Sequence, residues 1–234
     1  MTECSIVIPV GRGHEKLVER AERSVEEAWT FSKGPFSSIQ LLRQYDSMDG
    51  VTEAWGAAKT RNQALLKAEG DWVVFLDADD WMDRAAFLSL SLAIDLHPRA
   101  SGIWGLWTRW HKGQVHKRDF EVFSWERLID VKNPLGVGMS GAFRMDPVRE
   151  LWFNERLDFC EGTEFCYAFA AANWCACVDQ TLIVVDGDSP GAIGKRQGFK
   201  VARRALQLRE LWQLRGRYPL LEDELIERRG ADAV

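Results

Sequence analysis

The apolar run Trp72-Val-Val-Phe-Leu76 ends abruptly in three carboxylates, Asp77, Asp79 and Asp80. A stretch this short, entered from Gly70 and Asp71, reads as a buried strand, so the acids sit at its carboxyl end. In an open α/β sheet that end is where ligands bind, in the crevice beyond the strand tips. Carboxylates crowded there repel one another unless a cation or a buried partner compensates, and a hard divalent ion that also holds phosphate oxygens is one solution. The run therefore points first to a metal and phosphate site.

The rest of the chain agrees with an α/β class. At 234 residues with 46% hydrophobic content, it has the material for one substantial core. Ser5 to Val10 reads as a buried strand, Gly11 to Gly13 as a turn, and His14 to Phe31 as a helix with Leu17, Ala21, Val25 and Ala28 or Trp29 on one face. Ser37 to Gln44 reads as a second strand, Ala57 to Ala68 as a helix stopped near Gly70, and the acid-tipped strand follows. Three strands alternating with two helices predict a mostly parallel, Rossmann-like central sheet flanked by helices. Beyond it the sequence predicts a helix capped by Asp83 and running to His97, then an antiparallel hairpin of Gly102–Trp110 and Val115–Phe123. A glycine-rich stretch over Gly136–Gly141, a helix over Thr163–Asn173, a strand over Cys177–Val185 and a loop over Asp186–Gly191 complete the reading.

No run reaches the roughly 18 to 20 apolar residues that span a bilayer, and Met1-Thr-Glu-Cys leads straight into a strand. The expectation is a cytoplasmic chain with no transmembrane segment. Five cysteines is an odd number, and Cys160, Cys166, Cys175 and Cys177 lack paired C-x-x-C spacing, so reduced core thiols are expected. A net charge of -5 argues against whole-surface adhesion to nucleic acid. Locally the balance reverses: Lys195 to Arg217 holds eight basic residues against Glu210 alone, either a solvated helix face or a platform for a phosphate-rich partner.

In order along the chain, several stretches resemble the inverting nucleotide-sugar glycosyltransferases of family 2. Ser5-Ile-Val-Ile-Pro9-Val10 is similar to the family's opening strand, Gly56-Ala-Ala-Lys-Thr-Arg61-Asn62 to its G-x-x-x-A-R-N segment, and Asp77-Ala78-Asp79-Asp80 to its D-x-D signature with a further Asp. Met139-Ser140-Gly141-Ala-Phe-Arg144 and Phe153-Asn-Glu-Arg-Leu157 are similar to its acceptor-side segment and its F-D-E-R-L element. The resemblance implies a GT-A fold over residues 1–191, with a donor half over 1–100, an acceptor half over 101–191 and a basic helical extension over 192–234. It implies transfer from a nucleotide-diphosphate sugar, foremost a UDP-sugar, to a hydroxyl on a glycan, a lipid-linked molecule or a small molecule. The same chemistry on a hydroxylated base in DNA, held through residues 195–217, and a noncatalytic nucleotide-sugar or glycan-binding module are the alternatives. By the same resemblance Pro9, Val10, Asp46, Arg61, Asp77 and Ala78 would line the nucleotide-sugar, and Lys195 and Arg196 would cover its diphosphate. Asp79 with Asp77 would hold Mn²⁺ or Mg²⁺, and Ser140, Gly141, Trp81 and Trp174 would face the acceptor.

The chain departs from the family pattern in three places. Only about 14 residues separate Asp46 from Arg61, so the nucleotide-binding half is shortened, and Asp46 is either a base or ribose contact or an ordinary Asx-turn. The family's E-D pair appears as Glu161-Gly162, which removes the carboxylate expected as base; Glu161, or Glu164 three residues on, would have to serve. No histidine follows the last core strand, so Asp186 or Asp188 would supply the further metal oxygen. Among 11 tryptophans, Trp104, Trp107 and Trp110 break strand alternation, which predicts at least one of them exposed beside the acceptor cleft. His14, His97, His111 and His116 form no metal-like pair.

Overall fold

The computed structural model describes residues 2–47, 54–116, 139–157 and 161–189, built around a strand with no exposed face. That strand is β1 (Glu3–Val10), buried at every position from Cys4 onward, as a strand covered on both sides must be. It pairs in parallel with β2 (Ser38–Tyr45) and β3 (Trp72–Phe75). The two connections are helices, α1 (Val18–Phe31) and α2 (Ala57–Leu65).

After β3 come β4 (Trp81–Met82), α3 (Ala86–Leu96), β5 (Gly102–His111) and β6 (Gln114–His116), then β7 (Gly141–Arg144), α4 (Met145–Leu151), α5 (Glu161–Ala172) and β8 (Cys175–Asp186). The sheet order is β2-β1-β3-β7-β5-β8-β4, with β6 added to β5. Pairings place β1, β2, β3, β5 and β8 in one direction and β7, β4 and β6 in the other. The expected mostly parallel sheet is present, with an antiparallel strand at its centre.

Alternation along the strands divides the core between the two faces of the sheet. Ile6, Ile8 and Val10 of β1 pack with Val18, Ala21 and Val25 of α1 and Phe87, Leu90 and Ala93 of α3. On the other face Val7 and Phe75 pack with Ala64 and Leu65 of α2, Val148 of α4, and Phe165 and Phe169 of α5. Helices thus cover both faces of the sheet.

Several boundaries differ from the sequence reading for local reasons. α1 begins at Val18 rather than His14, because the His14 carbonyl closes a turn onto Leu17 and Val18. α2 stops at Leu65, and the next residues turn tightly through Lys67 N–H to Ala64 O and Ala68 N–H to Leu65 O. The hairpin forms across Lys112 and Gly113, both at positive φ; its continuation to Phe123 lies outside the described residues. β4, β7 and α4 were not expected. β7 fits between its neighbours because it begins on glycine: a Cβ at Gly141 would lie 2.6 Å from the Ile103 carbonyl oxygen.

The expectation of an exposed tryptophan on β5 is corrected. Register shifts between Trp104 and Trp107 realign the strand, so Trp104 is buried and Trp107 and Trp110 are half-buried. Cys4, Cys166, Cys175 and Cys177 are free thiols; burial pushes Cys166 up to about 12 and raises Cys4 and Cys177 further. Cys160 and the extension over 192–234 lie outside the described residues. Among those described, no helix is long and apolar enough to cross a membrane.

Candidate active site

Leu76 continues β3 by donating its N–H to the Val7 carbonyl, and the chain then turns on Asp80 N–H to Asp77 O at 3.0 Å. This turn puts Asp77 at the sheet's open edge with its side chain 47% exposed, while Ala78 and Asp80 face inward and are buried. From α2, Arg61 reaches beneath the turn with a side chain only 4% exposed. Its Nη2 donates to Asp77 Oδ1 at 2.6 Å and its Nη1 to Glu161 Oε1 at 2.6 Å. Burial opposes a charged guanidinium, but Asp77 and Glu161 outweigh it and raise the pKa of Arg61. Its Nε is buried and has no hydrogen-bond partner among the described residues.

The turn nevertheless holds more negative charge than Arg61 balances. Burial, then the charge of Asp77, raise the pKa of Asp79, opposed in part by the Ser189 hydroxyl and His14. Burial and the charges of Asp77, Asp79 and Asp186 raise Asp80 well above the usual carboxylate range, although Asp80 Oδ1 accepts the Asp186 N–H at 2.9 Å. On the far side, Arg20 of α1 donates Nη2 to the Asp79 carbonyl and to Asp186 Oδ2, the latter at 2.8 Å. Its guanidinium lies 4.6 Å from the centre of the Trp81 ring, which meets Trp110 edge-on at 6.1 Å.

The structure gathers most of the predicted site residues at this edge. Pro9 and Val10 end β1 beside the turn, both buried, and the Val10 carbonyl accepts Asp46 N–H at 3.0 Å. Asp46 Oδ1 accepts Gly56 N–H at 2.8 Å, opposite Thr60 Oγ1 at 3.2 Å, so the carboxylate braces the start of α2, where Gly56 has φ +82°. Glu161 is the first residue of α5 and Glu164 follows one turn later, half-buried. Ser140 is buried and its hydroxyl donates to the Leu106 carbonyl at 3.0 Å, beside Gly141 at the start of β7.

Two predicted placements are not realised. Trp174 precedes β8 and its carbonyl accepts Ser101 N–H ahead of β5, at the sheet edge opposite the carboxylates, where its half-buried side chain packs against the core. Asp188 does not converge with Asp77 and Asp79: Oδ1 lies 2.6 Å from His111 Nδ1 and Oδ2 accepts Lys112 N–H at 2.7 Å. Among the described residues no three His, Cys, Asp or Glu side chains form a group able to hold a metal. Lys195 and Arg196 lie outside the described residues.

Sequence reasoning missed Arg20 and left Asn62 without a role. Arg20 sits in the first turn of α1, where the helix dipole disfavours a cation, and that misplacement was its signal. Asn62 hydrogen-bonds Phe153 and, at 2.9 Å, Glu155 Oε1, joining two stretches that the sequence presents about 90 residues apart. Gly162 has a close neighbour: a Cβ there would lie 3.0 Å from Met139 Cγ and 3.3 Å from its sulfur.

Residues 51–151 match the model of glycosyl transferase family 2. Among solved structures, the chain is similar to S. aureus TarS 1-349 in complex with UDP-GlcNAc, with a TM-score of 0.67 and 16% identity, over 91% of this chain and 72% of that one. The same TarS fragment in complex with UDP gives a TM-score of 0.62 and 17% identity, over 92% and 71%. A longer TarS chain gives 0.63 and 16%, over 91% of this chain and only 43% of its own length. Nothing matches among curated proteins.

Proposed function

We propose that this family 2-like glycosyltransferase of GT-A fold moves a sugar from a nucleotide-diphosphate donor, foremost a UDP-sugar, to a hydroxyl acceptor with the help of Mn²⁺ or Mg²⁺. The observation that carries the reading is the Arg61 bridge. One buried guanidinium ties Asp77 at the tip of β3 to Glu161 at the start of α5, so the donor-side turn and the helix that would face the acceptor are held as one unit. The binding of UDP and UDP-GlcNAc by the similar TarS fold supports uridine as the donor base.

Breaking the anomeric C–O bond leaves a nucleoside diphosphate with growing negative charge. Asp77 and Asp79 would hold the metal, since they offer hard oxygen donors side by side on one turn; burial, and then the charge of Asp77, raise the pKa of Asp79. A divalent ion bound there supplies Lewis-acid stabilisation of the departing diphosphate. With no third protein ligand gathered among the described residues, its other positions would go to phosphate oxygens and water, as Mg²⁺ commonly arranges. Pro9, Val10 and Ala78 would shape the wall beside the nucleotide. Arg61 would hold the Asp77 carboxylate in place at the tip of β3.

The acceptor oxygen must lose a proton as it attacks the anomeric carbon, and Glu161 or Glu164 would take it. Glu161 gives one oxygen to Arg61, whereas Glu164 lies one turn along the same helix. Trp81, Ser140 and Gly141 would border the acceptor, whether glycan, lipid-linked molecule or small molecule. Free thiols at all four described cysteines suit the reducing cytoplasm.

The test is transfer or donor hydrolysis with UDP-sugars, with and without chelator, in wild type and Asp79→Ala. Chelation and the substitution should each abolish turnover while the fold persists. A fully active Asp79→Ala enzyme would overturn the assignment. The packing of Met139 against Gly162, where the family pattern has its base, favours one second reading, a nucleotide-sugar-binding module without turnover. Calorimetry separates the two, because donor binding without product from any acceptor would support the module.

A further inference from the structure

We infer that Arg20 is a positioning residue for the donor site, clamping the carboxylate turn to the end of β8; the inference rests on the donor-site reading above. One nitrogen, Nη2, donates both to the backbone carbonyl of Asp79 and to Asp186 Oδ2. An exposed ion pair contributes little by itself, and the Arg20 side chain is 42% exposed. The backbone bond is what distinguishes this cation, because holding the Asp79 carbonyl fixes the peptide from which the Asp79 carboxylate projects. Stacking on Trp81 at 4.6 Å fixes the guanidinium plane in turn.

The clamp extends through Asp186. Its N–H donates to Asp80 Oδ1 at 2.9 Å and its Oδ1 accepts Asp188 N–H at 2.9 Å. Arg20 therefore links three segments distant in sequence: α1, the turn after β3 and the loop after β8. Its charge opposes the cluster of Asp79, Asp80 and Asp186, whose mutual repulsion would otherwise spread the turn. Arg20 is not part of the buried stripe of α1, which is Val18, Ala21, Ser24, Val25 and Ala28. Removing it should leave the helix docked and loosen the turn.

Two readouts on purified full chain test this, with Arg20→Ala, Arg20→Lys and, as control, Arg23→Ala on the exposed side of the same helix. The first needs no ligand: amide hydrogen exchange at Asp80, bonded to the Asp77 carbonyl, and at Asp186 should quicken in Arg20→Ala and stay at the wild-type rate in Arg23→Ala. The second is calorimetric binding of UDP with Mn²⁺, which should weaken by about 10–100-fold in Arg20→Ala, as for other residues that orient metal ligands. Lysine should recover part of the affinity, since it restores the charge without the planar stacking. Unchanged exchange in Arg20→Ala overturns the inference whatever the ligand does. If Arg20→Ala does not fold, wild-type exchange rates in Arg20→Lys, together with wild-type affinity, overturn it equally. Failure of the wild type to bind UDP with Mn²⁺ would overturn the donor reading instead, and the exchange readout would still decide the role of Arg20.

Discussion

Asn62 grips both sides of one residue's backbone: its Nδ2 donates to the Phe153 carbonyl at 2.9 Å, and its Oδ1 accepts the Phe153 N–H at 2.9 Å. The side chain acts as a short strand edge, docking residue 153 onto α2. The Phe153 ring then stacks on Phe165 at 4.3 Å and meets Phe75 edge-on at 5.0 Å. Arg61, the preceding residue, lies 5.4 Å from the centre of the same ring.

Asn62→Leu should therefore cost more than a typical polar deletion. It leaves a buried donor and a buried acceptor of Phe153 unpaired, at about 1–3 kcal/mol each, and so lowers stability by roughly 2–4 kcal/mol after partial relaxation. Urea denaturation measures this. A loss below about 0.5 kcal/mol, the range of ordinary surface substitutions, would show that Phe153 does not depend on the clasp.

Arg61→Met should be more damaging still, because it strands Glu161, whose side chain is 10% exposed, beside Asp77. Removing one partner of a buried pair costs about 3–5 kcal/mol. Adding Glu161→Gln should recover part of that loss, since the stranded charge is then gone. A double variant no more stable than Arg61→Met alone would argue that packing, rather than charge, explains the effect.

The legible part of this molecule was its parallel half. β1, β2 and β3 are continuous apolar or alternating runs separated by helical periodicity, and right-handed parallel connections leave few other arrangements. The acid-tipped edge followed from β3 alone, because strand polarity places Asp77 to Asp80 outside the sheet. What could not be read was non-local. Gly141 to Arg144 is only four residues long, and nothing within it announces that it inserts antiparallel between β3 and β5. Arg20 meets Asp186 across 166 positions, and Trp174 was misplaced because sequence proximity to α5 did not reveal which edge of the sheet it borders. Asp46 was readable only as a base contact or an Asx-turn residue, and its bond to Gly56 N–H ten positions on is a longer link that local spacing did not announce.

Asp80→Asn should stabilise the unliganded protein at neutral pH. The folded-state pKa of Asp80 is raised, by burial and then by Asp77, Asp79 and Asp186, so the native state binds a proton more readily than the unfolded chain. Stability contributed by this group therefore falls as pH rises through the window between the ordinary aspartate value of 3.8 and the raised folded one. Asparagine can still accept the Asp186 N–H and escapes the charge. The thermal midpoint of Asp80→Asn should exceed wild type at pH 7, and the two should converge below about pH 4. An advantage that grows on acidification would have the wrong sign and would refute the account.

Gly162 and Met139 should behave as a coupled pair. Gly162 is the second residue of α5, and a side chain other than proline there raises helix propensity by up to about 1 kcal/mol. Against this, a Cβ would meet Met139 Cγ at 3.0 Å, so the methionine must give way. Aspartate is larger and charged, and Gly162→Asp alone should cost about 1–3 kcal/mol, as overpacking typically does. Met139→Ala opens the space, so in the double variant the aspartate should be tolerated, with a coupling energy of about 1 kcal/mol or more in a double-mutant cycle. Additive effects would mean that Met139 yields freely and does not exclude a carboxylate from this position. If coupling is found, comparing sugar transfer by Gly162→Asp/Met139→Ala and by Met139→Ala asks whether a carboxylate at 162 can act as base: a faster double variant, with its rate rising with pH through the carboxylate range, is the expected result.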